Sequence, residues 1–359
     1  MRPEVLEALG QVLEVAQADP GRTYDEAVVV RALIEDARTS IAGLAGTTAR
    51  QVLFTSSIAE SINHAIWALA RGGTIVASGA ERSSVLEAAR RTGTLDQVPL
   101  DGAGLLELDA LDARLARGDV NLLCAQIANH ETGVVQDVAS LVELTRTHNV
   151  ALHLDASVAF GHLEIDLGAL DVEAITLSSE LIGGPLGVCG LLVRRGSVLS
   201  PLVLGGAQER ARRAGLENLL GIVGFGVAAE VLAAPGVIDV EQARAVAQIA
   251  ALEEATLSVE GVSLVGDADQ RAPHLFAVTV EGIEAEPILM GLDRAGISVH
   301  SGSACATEAL EPSAVLAAMG LDAGHSLRLS VGWSTTAADI ERFTERFGDV
   351  VARLRALRT

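Results

Sequence analysis

The sequence predicts a mainly parallel β-sheet covered by helices on both faces, followed by a smaller α+β unit. Short β-branched runs alternate with helical patterns from Gln51 to Ala233. Ala234-Pro235-Gly236 then punctuates the chain. Beyond it the order becomes a long helix, two strands, a helix, a strand and a terminal helix. A chain of 359 residues has ample length for one large or two moderate domains.

The first helix is predicted over Pro3–Ala16, with proline in the first turn, where its missing N–H does no harm. Strands follow at Val52–Thr55, Thr74–Ala77 and Leu122–Ile127, with helices at Glu60–Ala70, Ser84–Arg91 and Val138–Thr147. Ala151–Leu154 and Ala174–Leu177 are further strands, and Val188–Arg194 reads as a hairpin-like return after Pro185-Leu186-Gly187. Leu219 to Ile238 is the most membrane-like run, but Glu230 and Pro235 interrupt it. A span needs about 20 consecutive apolar residues, so a buried helix is expected there. The remainder predicts a helix over Glu241–Val259, strands near Val262 and Phe276, and a helix over Glu286–Ala295. Strand Leu327–Val331 and helix Ala337–Leu357 complete the chain. The expected units are 12–234, and 1–11 together with 235–359.

The net charge of −21 opposes a nucleic-acid partner or an anionic membrane surface. Cys124, Cys189 and Cys305 lie far apart without metal-ligand spacing, and the first two sit in apolar runs as small buried hydrophobes. That usage suits a reducing cytoplasm, and Met1-Arg2-Pro3-Glu4 shows no signal-peptide core. His130, His153 and His162 also lack metal-ligand spacing, so core or rim histidines are expected and no metal site.

Two stretches carry a family resemblance. Leu177-Ser178-Ser179-Glu180-Leu181-Ile182-Gly183-Gly184-Pro185-Leu186-Gly187-Val188 resembles the cofactor-lysine segment of the cysteine desulfurases, a branch of the class V aminotransferases. That segment reads roughly S-x-H-K-x-x-G-P-K-G, and its lysine forms a Schiff base with pyridoxal phosphate. Here Leu181 stands at the lysine and Glu180 at the preceding histidine. Ser301-Gly302-Ser303-Ala304-Cys305 resembles the loop with the sulfur-accepting cysteine, which is kept as Cys305. All 26 basic side chains are arginine, so no lysine exists anywhere in the chain. A GC-rich genome is the bland explanation, but no side-chain amine is present to form an internal aldimine.

The resemblance extends over almost the whole chain. Phe54 to Asn63 is similar to F-T-S-G-A-T-E-S-x-N, whose helix N-terminus holds the cofactor phosphate. Ser57, Ile58 and Ala59 fall there, with Ala59 at the threonine. Arg82 replaces the histidine that stacks on the ring, and a guanidinium is a poor proton shuttle at neutral pH. Asn129-His130-Glu131-Thr132-Gly133 resembles N-N-E-x-G, and His153 to Val158 resembles H-x-D-A-x-Q. Asp155, the pyridine-nitrogen partner, is retained, while Val158 replaces the glutamine. In Gly205 to Asn218, Leu216 replaces a threonine that reaches the partner subunit's phosphate. Arg328 matches the arginine that binds the substrate carboxylate, and Trp333 replaces a common arginine downstream. The family's N-terminal N-A-A-T-T-like segment has no counterpart, which implies an open site on that side or a different gene start.

The resemblance therefore implies a type I pyridoxal-phosphate-enzyme fold with a seven-stranded-type sheet, and a homodimer. It implies a degenerate pocket in which the cofactor is absent or held only non-covalently. Arg82 is expected to pair with Glu180 and plug that pocket. Arg328 and Asn129 are expected to bind substrate, Arg328 by holding a small carboxylate, unless it pairs with Glu180 instead. Three functions follow from these residues. The leading one is a persulfide-carrying or scaffolding subunit that acts through Cys305 beside a sulfur-accepting or active desulfurase partner. The second is a working desulfurase with non-covalent cofactor and Glu180 as base. The third is a thiol-ligand or iron–sulfur site at Cys305.

Overall fold

The computed structural model describes residues 1–13, 18–301 and 313–357. The chain opens with α1 (Pro3–Val12) and α2 (Asp25–Leu44). It then alternates through β1 (Val52–Thr55), α3 (Ile58–Ala70), β2 (Thr74–Ser78), α4 (Ser83–Thr92) and β3 (Thr94–Val98). Next come α5 (Leu108–Leu115), β4 (Val120–Gln126), α6 (Val138–His148), β5 (Ala151–Asp155), β6 (Ala174–Ser178) and β7 (Cys189–Val193). A short turn, α7 (Gln208–Ala211), precedes α8 (Leu219–Ala233).

These strands form one sheet in the order β1-β7-β6-β5-β4-β2-β3. β3, β2, β4, β5 and β6 run parallel, and α4, α5 and α6 lie in the crossovers from β2 through β5. β7 is antiparallel to both neighbours because a short turn returns the chain directly from β6, as Pro185-Leu186-Gly187 predicts. Strands buried on both faces account for the nearly continuous apolar runs in β4 and β6. The parallel strands therefore end together and create a crevice at their carboxyl ends.

Helix α2 is absent from the sequence-based expectation. It buries Val30, Ile34, Ala37 and Ile41 against the sheet unit, with α8 as its closest partner. The two helices touch at Gly226, where any Cβ would stand 2.5 Å from Ala37 Cα. Helix α8 is apolar on all sides and buried, as the interrupted run from Leu219 implies. No single helix among the described residues is long and apolar enough to cross a membrane. The run continues into α9 (Val237–Leu257) only through an 84° bend.

The second unit holds β8 (Val262–Val265), β9 (Leu275–Val280), α10 (Ala285–Asp293), α11 (Ala314–Ala318), β10 (Ser326–Ser330) and α12 (Ala337–Ala356). Its antiparallel sheet has the order β10-β9-β8 and packs with α9, α10 and α12 around Phe276, Phe343 and Phe347. One boundary differs from expectation. Val5 and Val12 of α1 lie in the larger core, so α1 packs with the first unit and not the second. Arg2 bridges the two, donating to Glu241 of α9 at 2.7 and 2.8 Å and to the Ile182 carbonyl at 2.8 Å.

Candidate active site

Asp155 ends β5 at the centre of the sheet, so its side chain points into the crevice with little access to water. Its Oδ1 accepts from the Ser157 amide at 2.8 Å and its Oδ2 from Arg82 Nε at 2.9 Å. Arg82 lies just before α4, at the end of the loop that leaves β2, and its Nη2 also donates to Ser157 Oγ at 3.1 Å. The predicted Arg82–Glu180 pair is therefore corrected: Arg82 pairs with Asp155. The reason is electrostatic. A carboxylate buried at 3% side-chain exposure needs a counter-charge more than one at the crevice rim does. Glu180 instead turns toward Cys189, with its Oε2 3.9 Å from the thiol sulfur.

Arg328, on β10, reaches across from the second unit and donates Nη1 to the His130 carbonyl at 3.0 Å. Its backbone N–H and C=O pair with those of His300. So Arg328 does not pair with Glu180 either. Burial lowers its pKa, Glu131 opposes that, and the Arg82 charge adds to it. Burial also holds His130 neutral, with Arg82 and Arg328 reinforcing the effect. Asn129 organises this turn: its Oδ1 accepts from the amides of Glu131 and Thr132, and its Nδ2 donates to the Ala80 carbonyl.

Two carboxyls that the motifs did not single out complete the cluster. Glu81 is fully buried, and burial followed by the Asp155 charge raises its pKa to about 8. Burial raises Glu131 to about 7, although Ser313 Oγ donates to it at 2.5 Å. The clue for both lay in the sequence as neighbours of substituted positions, in Glu81-Arg82 and His130-Glu131. Burial of each carboxyl was not legible there.

At the start of α3, Ser57 caps the helix by accepting from the Glu60 amide at 3.1 Å. Glu60 Oε2 accepts in return from the Ser56 amide at 2.8 Å and from Ser56 Oγ. Arg213 Nε donates to Glu60 Oε1 at 2.9 Å. Burial pushes this carboxyl up, but Arg213 and Ser56 outweigh it and hold it below the usual range. Ile58 and Ala59 form the first turn of the same helix, and Ala59 brings no hydroxyl. Ser178 Oγ accepts from the Leu181 amide at 3.2 Å, and Leu181 projects partly into solvent at 40% exposure.

The histidines behave as core or rim groups. His153 Nε2 lies 2.9 Å from Thr176 Oγ1, and burial lowers its pKa to about 4. His162 donates to the Leu181 carbonyl at 3.0 Å and stacks on His274 at 3.9 Å. Cys124 and Cys189 are buried, and burial raises both thiols. Among the described residues no group of three or more His, Cys, Asp or Glu could hold a metal ion. Cys305 lies outside the described residues.

The Aminotransferase class-V family model matches residues 1–343. The chain is 33% identical to cysteine desulfurase IscS 1 of Archaeoglobus fulgidus, over 98% of this chain and 94% of that one. It is 37% identical to a cysteine desulfurase of Cereibacter sphaeroides, over 99% and 94%. Among solved structures, a NifS-like protein of Rickettsia africae superposes with a TM-score of 0.90 at 27% identity, covering 98% of this chain and 96% of that one. The architecture is the type I pyridoxal-phosphate-enzyme fold, with a mainly parallel seven-stranded sheet. The chain belongs to the class-V aminotransferase family, within its cysteine desulfurase branch.

Proposed function

We propose that this chain handles sulfur without pyridoxal-phosphate chemistry of its own, as a persulfide carrier or scaffolding subunit that uses Cys305. The observation that carries this reading is the Arg82–Asp155 pair. In the family Asp155 is the partner of the protonated pyridine nitrogen. Here a permanently charged guanidinium already fills that role, so a second cation on the same carboxylate would meet repulsion.

The remaining anchors fit the cofactor no better. No amine exists for the Schiff base. At the phosphate cup, Glu60 is the motif's own glutamate and pairs with Arg213, but Ala59 brings no hydroxyl where the motif has threonine. One anchor is thus occupied by this chain's own Arg82, and two others lack the group that the cofactor uses. The chain is read further as a cytoplasmic homodimer. Exposed Leu186, Leu204 and Leu216, in and beside the segment that the family uses at its subunit contact, support the dimer.

In the transfer step, the Cys305 thiolate attacks the terminal sulfur of a donor protein's persulfide. A new S–S bond forms at Cys305, the donor's S–S bond breaks, and the donor leaves as a thiolate. No net oxidant or reductant is required. The test is intact-mass analysis after incubation with an active cysteine desulfurase and L-cysteine. Wild type gains one sulfur that a thiol reductant removes, and Cys305→Ala gains none. Sulfur on wild type when L-cysteine is supplied alone would establish an active enzyme with non-covalent cofactor instead. An iron-dependent absorption lost in Cys305→Ala would establish a cluster ligand.

A further inference from the structure

At the end of β1 and β7 remote from Asp155, a groove of about 690 Å³ opens between the approach to β1, the turn after β7 and α7. Arg50, Arg194, Arg195, Arg210 and Arg212 line it, and no carboxylate does. This concentration of cations stands in a chain of net charge −21.

Carboxylates at the rim neutralise two of the five. Asp171 and Glu173 hold Arg194, and Glu35 holds Arg210. Among the described residues, Arg50, Arg195 and Arg212 have no carboxylate partner. Arg212 donates instead to the carbonyls of Val52 and Glu209, both at 3.3 Å, which fix its plane without cancelling its charge. Burial lowers its pKa, and Arg210, Arg38 and Arg50 add to that against the opposing Glu209.

The backbone that delivers these arginines is strained. Glu209, Arg210 and Ala211 are consecutively left-handed, with φ of 47°, 59° and 61°. That region is disfavoured for any residue with a Cβ and persists only where the surroundings over-determine it. Here the buried Glu209 carboxylate accepts from Arg38 twice at 2.8 Å and from the Phe54 amide at 3.0 Å. The turn is thereby pinned to the edge of β1, and Arg210 and Arg212 project to one side of it.

We infer that this groove binds a small ligand carrying a chain of two or more phosphates. Guanidinium forks match phosphate oxygens in bidentate geometry. A concavity of this volume is of small-ligand size. Three uncompensated cations call for several negative charges close together, which a phosphate chain supplies in less space than an acidic peptide. A second cavity of about 160 Å³ shares Arg194 and Arg195 and adds Leu167, Val172 and Ile175. Thr47, Gln51 and Asp171 line it too, so comparing ATP with free polyphosphate tests whether a base enters this annex. The inference is independent of the sulfur chemistry.

Calorimetric titration of the whole protein with tripolyphosphate, ATP and hexaglutamate, without added metal, tests the site. Arg50→Gln/Arg195→Gln is the variant, because both side chains are exposed and lie outside the Gln208–Asn218 segment. Its melting temperature is expected to match wild type. Wild type should bind tripolyphosphate saturably, more weakly as salt is added. The double variant should lose roughly a hundredfold in affinity, about tenfold for each guanidinium removed. The single variants should fall between. Tighter binding of ATP than of tripolyphosphate identifies a nucleotide site, and equal binding identifies a phosphate-chain site. No saturable binding of either, or an unchanged affinity in the double variant, overturns the inference. Tighter binding of hexaglutamate overturns it in favour of an acidic protein partner.

Discussion

Glu81 owes its protonation state to its surroundings. Burial and the nearby Asp155 charge raise its folded pKa to about 8, so it is stable there as a neutral acid. A raised folded pKa makes a contribution that is complete below the unfolded value and is lost as pH rises toward the folded one. Glu81→Gln is neutral at every pH and keeps that contribution. The variant and wild type should therefore melt alike near about pH 4. By about pH 8.5 the variant should be more stable, by an amount on the order of a few kcal/mol. A gap that does not change with pH would contradict this assignment. Arg82→Ala leaves Asp155 buried without its cation, and denaturant unfolding should show a loss of about 2–4 kcal/mol. Arg82→Ala/Asp155→Asn should recover most of that loss, because the orphaned charge goes with the carboxylate. The arginine at this position was legible in the motif, but its partner was not. Glu180 and Asp155 both face the old site in sequence terms, and only burial ranks them.

At the scale of elements, the edge strand β1 is managed by residues far away in sequence. Glu209 accepts from its Phe54 amide, while Arg38 and Arg212 donate to its Val52 carbonyl. An edge strand so covered offers no free ladder to another chain. The Arg38–Glu209 pair has 3% side-chain exposure at both ends. Glu209→Ala should therefore destabilise by about 3 kcal/mol, since it leaves the buried Arg38 with only the more exposed Glu35, at 3.0 Å, and releases the left-handed turn. Limited proteolysis should then cut first near that turn, and an unchanged digestion pattern would argue against its role as a pin. Strands β4, β5 and β6 were legible as β-branched and apolar runs. Helix α2 was missed although Ala27, Val30, Ile34, Ala37 and Ile41 recur at helical spacing, because the exposed Val28 and Val29 and the buried Arg38 blur that stripe. The turn at α7 was equally hidden, since nothing local favours three successive left-handed residues.

For the whole molecule, two cores meet at a crevice to which each contributes. The sheet unit brings Asp155 and Arg82, and the second unit brings Arg328, whose guanidinium lies on the His130 carbonyl. Arg2, just before α1, ties the units by pairing with Glu241 of α9. Such a scaffold keeps the family's shape while Arg82 pairs with Asp155 inside the crevice. The motifs alone revealed which anchors had changed, but not that Arg82 would pair with Asp155. The most direct measurement is a titration of purified wild-type protein with pyridoxal phosphate, followed by absorption and by alanine release from L-cysteine. Saturable cofactor binding and Cys305-dependent alanine formation would contradict the account. The account predicts neither, with the free-cofactor spectrum unchanged on addition of protein.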